Sequence, residues 1–473
     1  MRLEVPRWLR ALACVLPIVL SACGGGGGGS DGCPSTAASG GVADRQDWLR
    51  CYFNDTYFWY RLSPNPSPAG YNTVGDYFAA LIYRGGDLIP PSTTQTWPSD
   101  RYSGYQSTES FNRFFGDGQT LGYGLAVAGL EVTVPAPIPS APLYVRYVEP
   151  ASPAAAASIA RGDRVMSLNG QPASDVIAAN DFSALTPNAV GDPLTVVLRN
   201  AQGVDRSVQL AAAVFALTPV QGRPVVQSPN GRLMGYVFVK DMINQVGAPL
   251  SSVMSGFRAQ GIQELVLDLR YNGGGLVSVG GTVASYASGS PAVGQTYARL
   301  LYNDKQSGNN QNFAFSNPGA WSGFSRVFVL TGPRTCSASE QVINGLRGLN
   351  DLPGARVDVV TVGDTTCGKP VGFLPDDDGW GTTYSIVNFE SVNARNEGRY
   401  FDGLAATCPV AEDFSRLPGD VADPLLMAAA HYIDNGVCPP TAASRESPQA
   451  RTMTGRARYD GADGGERTGM SAR

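Results

Sequence analysis

Between about residues 232 and 435 the chain alternates apolar, β-branched runs with segments of helix length, and few folds accommodate that rhythm. Strands are expected at 234–239, 264–269, 326–331 and 357–362, with helices at about 248–259, 276–288 and 337–349. Runs such as Leu265-Val-Leu-Asp-Leu269 and Val327-Phe-Val-Leu330 are apolar on both faces, as strands covered by helices on both sides must be. This alternation argues for βαβ units around a mainly parallel sheet, an α/β fold. A last helix, 424–433, carries the chain's single histidine, His431, in an apolar segment where packing or surface exposure explains it.

Two regions of different character come first. Residues 44–117 are rich in aromatics, and the pairs Trp48/Tyr52 and Phe53/Tyr57 are four apart and share helix faces. With a second helical pattern at 77–83, this reads as a small N-terminal helical domain with an aromatic core. Residues 118–215 are β-rich. Across 149–170 an alanine-rich helix, a Gly-Asp turn, a short strand and an Asn-Gly turn follow one another, an order that resembles a PDZ domain. Gly122, Tyr123, Gly124 and Leu125 would then form its carboxylate-binding loop. Residues 216–440 make the α/β core, and 441–473, with six Arg and no periodicity, are expected to be disordered.

The N-terminus has Arg2, Arg7 and Arg10 before an apolar run from Ala11 to Leu20, too short to span a bilayer and suited to a signal peptide over 1–22. Leu20-Ser-Ala-Cys23 resembles a bacterial lipobox, which implies lipidation of Cys23, and the glycines behind it form a tether within a linker over 23–43. Such a protein would sit in the bacterial cell envelope facing the periplasm, with the outer membrane favoured because Gly24 follows the cysteine. Without residues 1–23 the net charge moves from −5 to −7, and an acidic body with no basic cluster argues against nucleic acid as partner. Six cysteines remain after Cys14 and Cys23 are set aside. In an exported chain that even number suggests three disulfides, among 15 pairings that spacing cannot resolve.

A histidine-based serine hydrolase would need more than this chain offers. Only three lysines occur beside 32 arginines, and one, Lys369, lies in Cys367-Gly-Lys369. Ser337 follows a strand and a turn and precedes the helix Ala338-Ser-Glu-Gln-Val, where a nucleophile gains from the helix dipole and from free N–H groups. Ser337-x-x-Glu340 is equally a capping box, which needs no catalysis. To act as a base, Lys369 must be brought from a pKa near 10.4 towards neutrality by burial, at about 3–4 kcal/mol. The uncharged stretch Pro370-Val-Gly-Phe-Leu-Pro375 suits that burial.

Cys336 directly precedes Ser337 and Cys367 lies two residues before Lys369, so a bond between them would hold both loops together. Cys408–Cys438 and Cys33–Cys51 are then the remaining pairs. A third element, Asp268-Leu-Arg-Tyr-Asn-Gly-Gly-Gly275, is a Gly-rich turn whose amides could reach a reacting oxygen. A phosphate cradle is the competing reading, but no Walker pattern is present. With one His, nothing in the sequence suggests a zinc site or another metal, and no cofactor is expected.

Leu-Asp-Leu-Arg-x-Asn-x-Gly-Gly, then Ser-Ala-Ser-Glu, then Gly-x-x-x-x-Gly-Lys occur in one order. That order resembles the C-terminal processing (tail-specific) serine peptidases, which carry an embedded PDZ domain, and the likeness covers roughly 44–435. The resemblance implies a crotonase-like peptidase core, Ser337 as nucleophile, Lys369 as general base, and an oxyanion hole from Gly274 or Gly275 and Ala338. Many members place a Gln four residues after the Lys; here that position is Phe373, and the third catalytic member is unassigned. The expected function is a lipid-anchored envelope endopeptidase acting on polypeptides, unfolded or with free C-termini captured by the PDZ domain. The alternative is a peptide-binding lipoprotein that keeps the fold without turnover.

Overall fold

The apolar runs of the C-terminal half pair into one seven-stranded sheet. The computed structural model describes residues 33–128, 142–179, 181–222, 225–319, 321, 323–324, 326–352, 354–440 and 469–472. The core elements are β1 (Leu233–Val239), α1 (Gly247–Ala259), β2 (Glu264–Asp268), β3 (Gly274–Leu276), α2 (Val277–Ser288), β4 (Arg326–Thr331), α3 (Ala338–Arg347), β5 (Asp358–Gly363), β6 (Cys408–Pro409) and α4 (Pro424–Asn435). Strands β1, β2, β4, β5 and β6 lie side by side and parallel, in register such as Val237↔Leu267 and Leu267↔Val329. Two short strands, Val220–Gly222 and Val226–Gln227, add antiparallel along β1.

Side chains alternate along each strand, and that alternation divides the core in two. Val237, Val239, Leu265, Leu267, Val327 and Val329 meet Leu250, Val283 and Ile343 from α1, α2 and α3. Their neighbours Tyr236, Phe238, Val266, Phe328 and Leu330 face the other way, onto Leu425, Leu426 and Ala429 of α4. Burial on both faces is why the runs read as continuously apolar.

An antiparallel six-stranded sheet spans Leu125–Ala128 to Asp205–Ala211 and has its own apolar cluster, with Ile177 of the helix Ala173–Ala179 against Leu194, Val196 and Leu198. The N-terminal helices Val42–Thr56 and Val74–Leu81 do not form a separate core. Their Trp48, Tyr52, Phe53 and Phe78 pack in one cluster with Val371, Tyr384, Ile386 and Val387 of the α/β region. The strand Gly104–Ser107 pairs with Thr382–Ser385, and the Phe58 N–H donates to the Val387 carbonyl at 2.8 Å.

One difference from the sequence reading matters. The segment 441–473 was expected to be disordered throughout, yet Gly469–Ser471 forms a strand, β7, parallel to β3. Three residues are too few for periodicity to register, and their pairing partner lies almost 200 positions away in sequence, so local composition carries no trace of it. The helix expected at about 337–349 spans Ala338–Arg347, with Ser337 at its N-cap, just before the first turn. The signal peptide, Cys23 and the glycine tether lie outside the described residues. Among the described residues no helix is long and apolar enough to cross a membrane.

The turn after β2 is fixed by charge. Arg270 is 2% exposed; its Nε donates to both Asp268 oxygens at 3.0 Å and its Nη groups donate to Asp423, the N-cap of α4. Burial disfavours the guanidinium charge, but Asp268, Asp423 and Glu412 outweigh it and hold Arg270 charged. Tyr236 completes the group, donating to Asp268 at 2.6 Å. Replacing Arg270 by Leu leaves these carboxylates buried without their cation, and urea unfolding should show a loss of about 3–5 kcal/mol. An unchanged midpoint would mean that Arg270 does not anchor the turn.

Candidate active site

Ser337 sits where β4 has ended and α3 has not begun. Its backbone, at φ 64° and ψ −117°, lies where side chains other than Gly are rare, a strain of about 1–3 kcal/mol that the surroundings must sustain. Those surroundings are dense. Thr335 Oγ1 donates to the Leu269 carbonyl at 2.8 Å and the Cys336 N–H to the Asn272 carbonyl at 3.0 Å, tying the turn before Ser337 to the turn after β2. Asn272 also accepts from Ser339 Oγ at 2.7 Å through Oδ1. Ser337 Oγ itself is buried and makes no hydrogen bond among the described residues.

Lys369 reaches the same place from the loop after β5. Cys336 and Cys367 are disulfide-bonded with Cα atoms 5.1 Å apart, and the Cys367 N–H donates to the Thr335 carbonyl at 3.0 Å. Cys33–Cys51 and Cys408–Cys438 are bonded as well. Gly368, at φ 80°, passes so close to the Phe401 carbonyl that an added Cβ would lie 2.1 Å from that oxygen. Lys369 is fully buried, with Nζ 4.5 Å from the centre of the Phe373 ring and 5.7 Å from that of Tyr102.

Glu340 joins the two loops. Its Oε2 accepts from the backbone N–H of Ser337 and of Lys369, both at 2.8 Å. Its Oε1 accepts from the Gly368 N–H at 2.8 Å and from Thr366 Oγ1 at 2.5 Å. Burial pushes the carboxyl pKa above its ordinary value, and these hydrogen bonds work in the opposite direction. The sequence reading treated Glu340 only as half of a capping box. That half exists, through the Ser337 N–H, but the carboxylate serves the lysine loop equally.

The Gly-rich turn completes the site. The Gly274 N–H is already donated to Asn272 Oδ1 at 2.9 Å, which removes it from the amides available to a reacting oxygen. Gly274 C=O and Leu276 N–H both bond Met242, at 2.9 and 2.7 Å. By strand alternation the N–H and C=O of Gly275 therefore face the opposite edge. Gly275 has φ 131°, and a Cβ there would lie 2.3 Å from the Met242 carbonyl oxygen, so only glycine fits. Ala338 opens α3, and its N–H belongs to the first turn, where no intrahelical partner exists.

Other candidates lie elsewhere. Gly122, Tyr123, Gly124 and Leu125 join the strands Gln119–Gly122 and Leu125–Ala128. Tyr123 and Leu125 are buried, and the Tyr123 and Gly124 carbonyls accept from Ala154 and Glu149 at 2.9 Å. Sequence reasoning missed Tyr102, whose hydroxyl donates to the Gly368 carbonyl at 2.7 Å; nothing in its local sequence signals a role 266 positions away. Cys336, Glu340 and Cys367 come within 4.8 Å of one another, a spacing suited to a metal, but the two sulfurs are bonded to each other and cannot act as thiolate ligands.

Glu340→Gln keeps the shape but turns an amide NH2 towards donors that need an acceptor. Urea unfolding should show a loss of about 2–3 kcal/mol. Stability within experimental error of the parent would mean that the carboxylate does not hold the loops.

Residues 233–394 match Peptidase family S41, and residues 44–104 match the Peptidase S41 N-terminal domain. A chloroplastic carboxyl-terminal-processing peptidase 3 from Arabidopsis thaliana is 30% identical over 141 residues, 28% of this chain and 27% of that protein. A carboxyl-terminal-processing protease from Picosynechococcus is 24% identical over 245 residues, 51% of this chain and 55% of the relative. The chain thus spans about half, or less, of the curated relatives it matches. The crystal structure of a candidate S41 protease from Bacteroides fragilis shares the fold, with a TM-score of 0.62 and 24% identity over 82% of this chain and 97% of that one. The chain is thus similar to Peptidase family S41 over residues 233–394 and to its N-terminal domain over 44–104, on a fold it shares with the Bacteroides fragilis protein.

Proposed function

We propose that the protein is an endopeptidase of the bacterial cell envelope that cleaves polypeptides with a Ser337/Lys369 dyad. The observation that carries this reading is the Glu340 clamp, one carboxylate bonded to the backbone of both residues beside the Gly-rich turn. A structural cap would need only the Ser337 half of it.

In the proposed reaction neutral Lys369 takes the Ser337 hydroxyl proton as Oγ attacks the scissile carbonyl. The oxyanion is met by the amides of Gly275 and Ala338 at the positive end of α3. The lysinium gives its proton to the leaving amine as the C–N bond breaks, leaving an ester on Ser337. Water, deprotonated by Lys369, then hydrolyses the ester and restores the serine. The domain boundaries of the sequence reading, with a PDZ-like domain over 118–215 that takes substrate C-termini, belong to this proposal, as do lipidation at Cys23 and a periplasm-facing location.

A second reading, a peptide-binding lipoprotein without turnover, draws on Phe373. An aromatic face 4.5 Å from Nζ favours the charged lysine, which cannot act as a base. Degradation of dye-labelled casein by the exported chain separates the two. Ser337→Ala and Lys369→Ala should each lower the rate by about 10³-fold or more with unchanged circular dichroism. Cleavage that survives both substitutions would remove the dyad; no cleavage by the parent chain would favour the binding protein.

A further inference from the structure

Residues 469–472 lie between the Gly-rich turn and the loop that carries Lys369. Strand β7 runs parallel to β3, with Gly274↔Gly469, Gly275↔Met470 and Leu276↔Ser471 as partners. Its other edge meets Phe373: Ser471 bridges Phe373 in parallel, and the Ala472 N–H donates to the Phe373 carbonyl at 3.1 Å. The segment is thus a middle strand between the Gly-rich turn on one side and the lysine loop on the other. Phe373 is in turn anchored, because Val371–Gly372 pairs with Phe389–Val392.

Three further features define what kind of occupant this is. The edge of β3 that β7 covers is the one to which Gly275 turns its N–H, since Gly274 C=O and Leu276 N–H are spent on Met242. Ser471 is fully buried, and Ala472 packs against the same apolar cluster as Ala338 and Val342 of α3. Ser337 and Lys369 are also fully buried. An extended segment paired along a strand edge is how a peptide adds to a sheet.

We propose that residues 469–472 are an in-cis pseudosubstrate: they hold the site closed and compete with polypeptides for the groove between β3 and Phe373. The proposal rests on the peptidase reading for its kinetic consequence, but not for the occupancy itself. The segment belongs to the same chain as the site, with 28 residues between it and Pro440, so its pairing is intramolecular and needs no free partner. A weakly bound strand is therefore enough to close the site and can still be displaced.

Three proteins test this: the full chain, Ala472→Pro, which removes the N–H that bonds Phe373, and a chain stopped after Pro440. Casein cleavage should show an apparent KM about tenfold lower in both variants with kcat unchanged. A synthetic peptide of residues 466–473 should inhibit the stopped chain competitively. Equal KM values in all three proteins would overturn the proposal. If none cleaves casein, the peptidase reading fails on its own, and binding decides the present one. The same peptide, fluorescein-labelled, should then bind the stopped chain carrying Ser337→Ala and be excluded from the full chain carrying it. Equal binding to both, or to neither, would overturn self-occupancy.

Discussion

Four hydrogen bonds converge on the carboxylate of Glu340, and both halves of the site take their positions from it. A buried carboxylate is costly unless its lone pairs are satisfied, and here each oxygen has two donors. Three of those donors are backbone N–H groups, from Ser337, Gly368 and Lys369, so what the carboxylate fixes is the path of the main chain. The strained backbone at Ser337 persists because its N–H is held from one side by Glu340 while the Cys336 N–H is held from the other by Asn272.

The rest of the molecule supports that point from several directions. Asp268, Arg270 and Asp423 lock the turn after β2, which delivers Asn272 and the glycines. The N-terminal aromatic helices share a core with Val371, Tyr384, Ile386 and Val387, so the lysine loop rests on residues about 300 positions apart in sequence. Tyr102 makes this direct, through its bond to Gly368 and its ring beside Lys369. The N-terminal region therefore belongs to the chemistry of the site as much as to the stability of the fold.

Much of this was legible in the sequence, for identifiable reasons. Parallel strands buried on both faces are continuous apolar runs, so β1, β2, β4 and β5 announced themselves within a residue or two. The loops of Ser337 and Lys369 could be brought together on paper because cysteines flank them, and disulfide geometry demands short Cα distances. What could not be read was every contact whose partners lie far apart without a covalent marker: Tyr102 with Gly368, Glu340 with the lysine loop, and β7 with β3. Glu340 shows the limit well, since a capping box is a local pattern and its second use has no local signature. The amides of Gly274 and Gly275 could not be told apart for a related reason, because Asn272 is visible in sequence but the orientation of its side chain is not.

The Cys336–Cys367 bond lies next to Ser337 and two residues before Lys369, and this gives the site a dependence on the redox state around it. In a reducing compartment the covalent link between the two loops does not form, and the polar contacts around Glu340 must close the gap alone. Once the thiols are oxidised, serine and lysine are joined through two neighbouring sulfurs. A protein built this way couples the geometry of the site to the redox state of its surroundings, because the bond between the two loops persists where thiols stay oxidised.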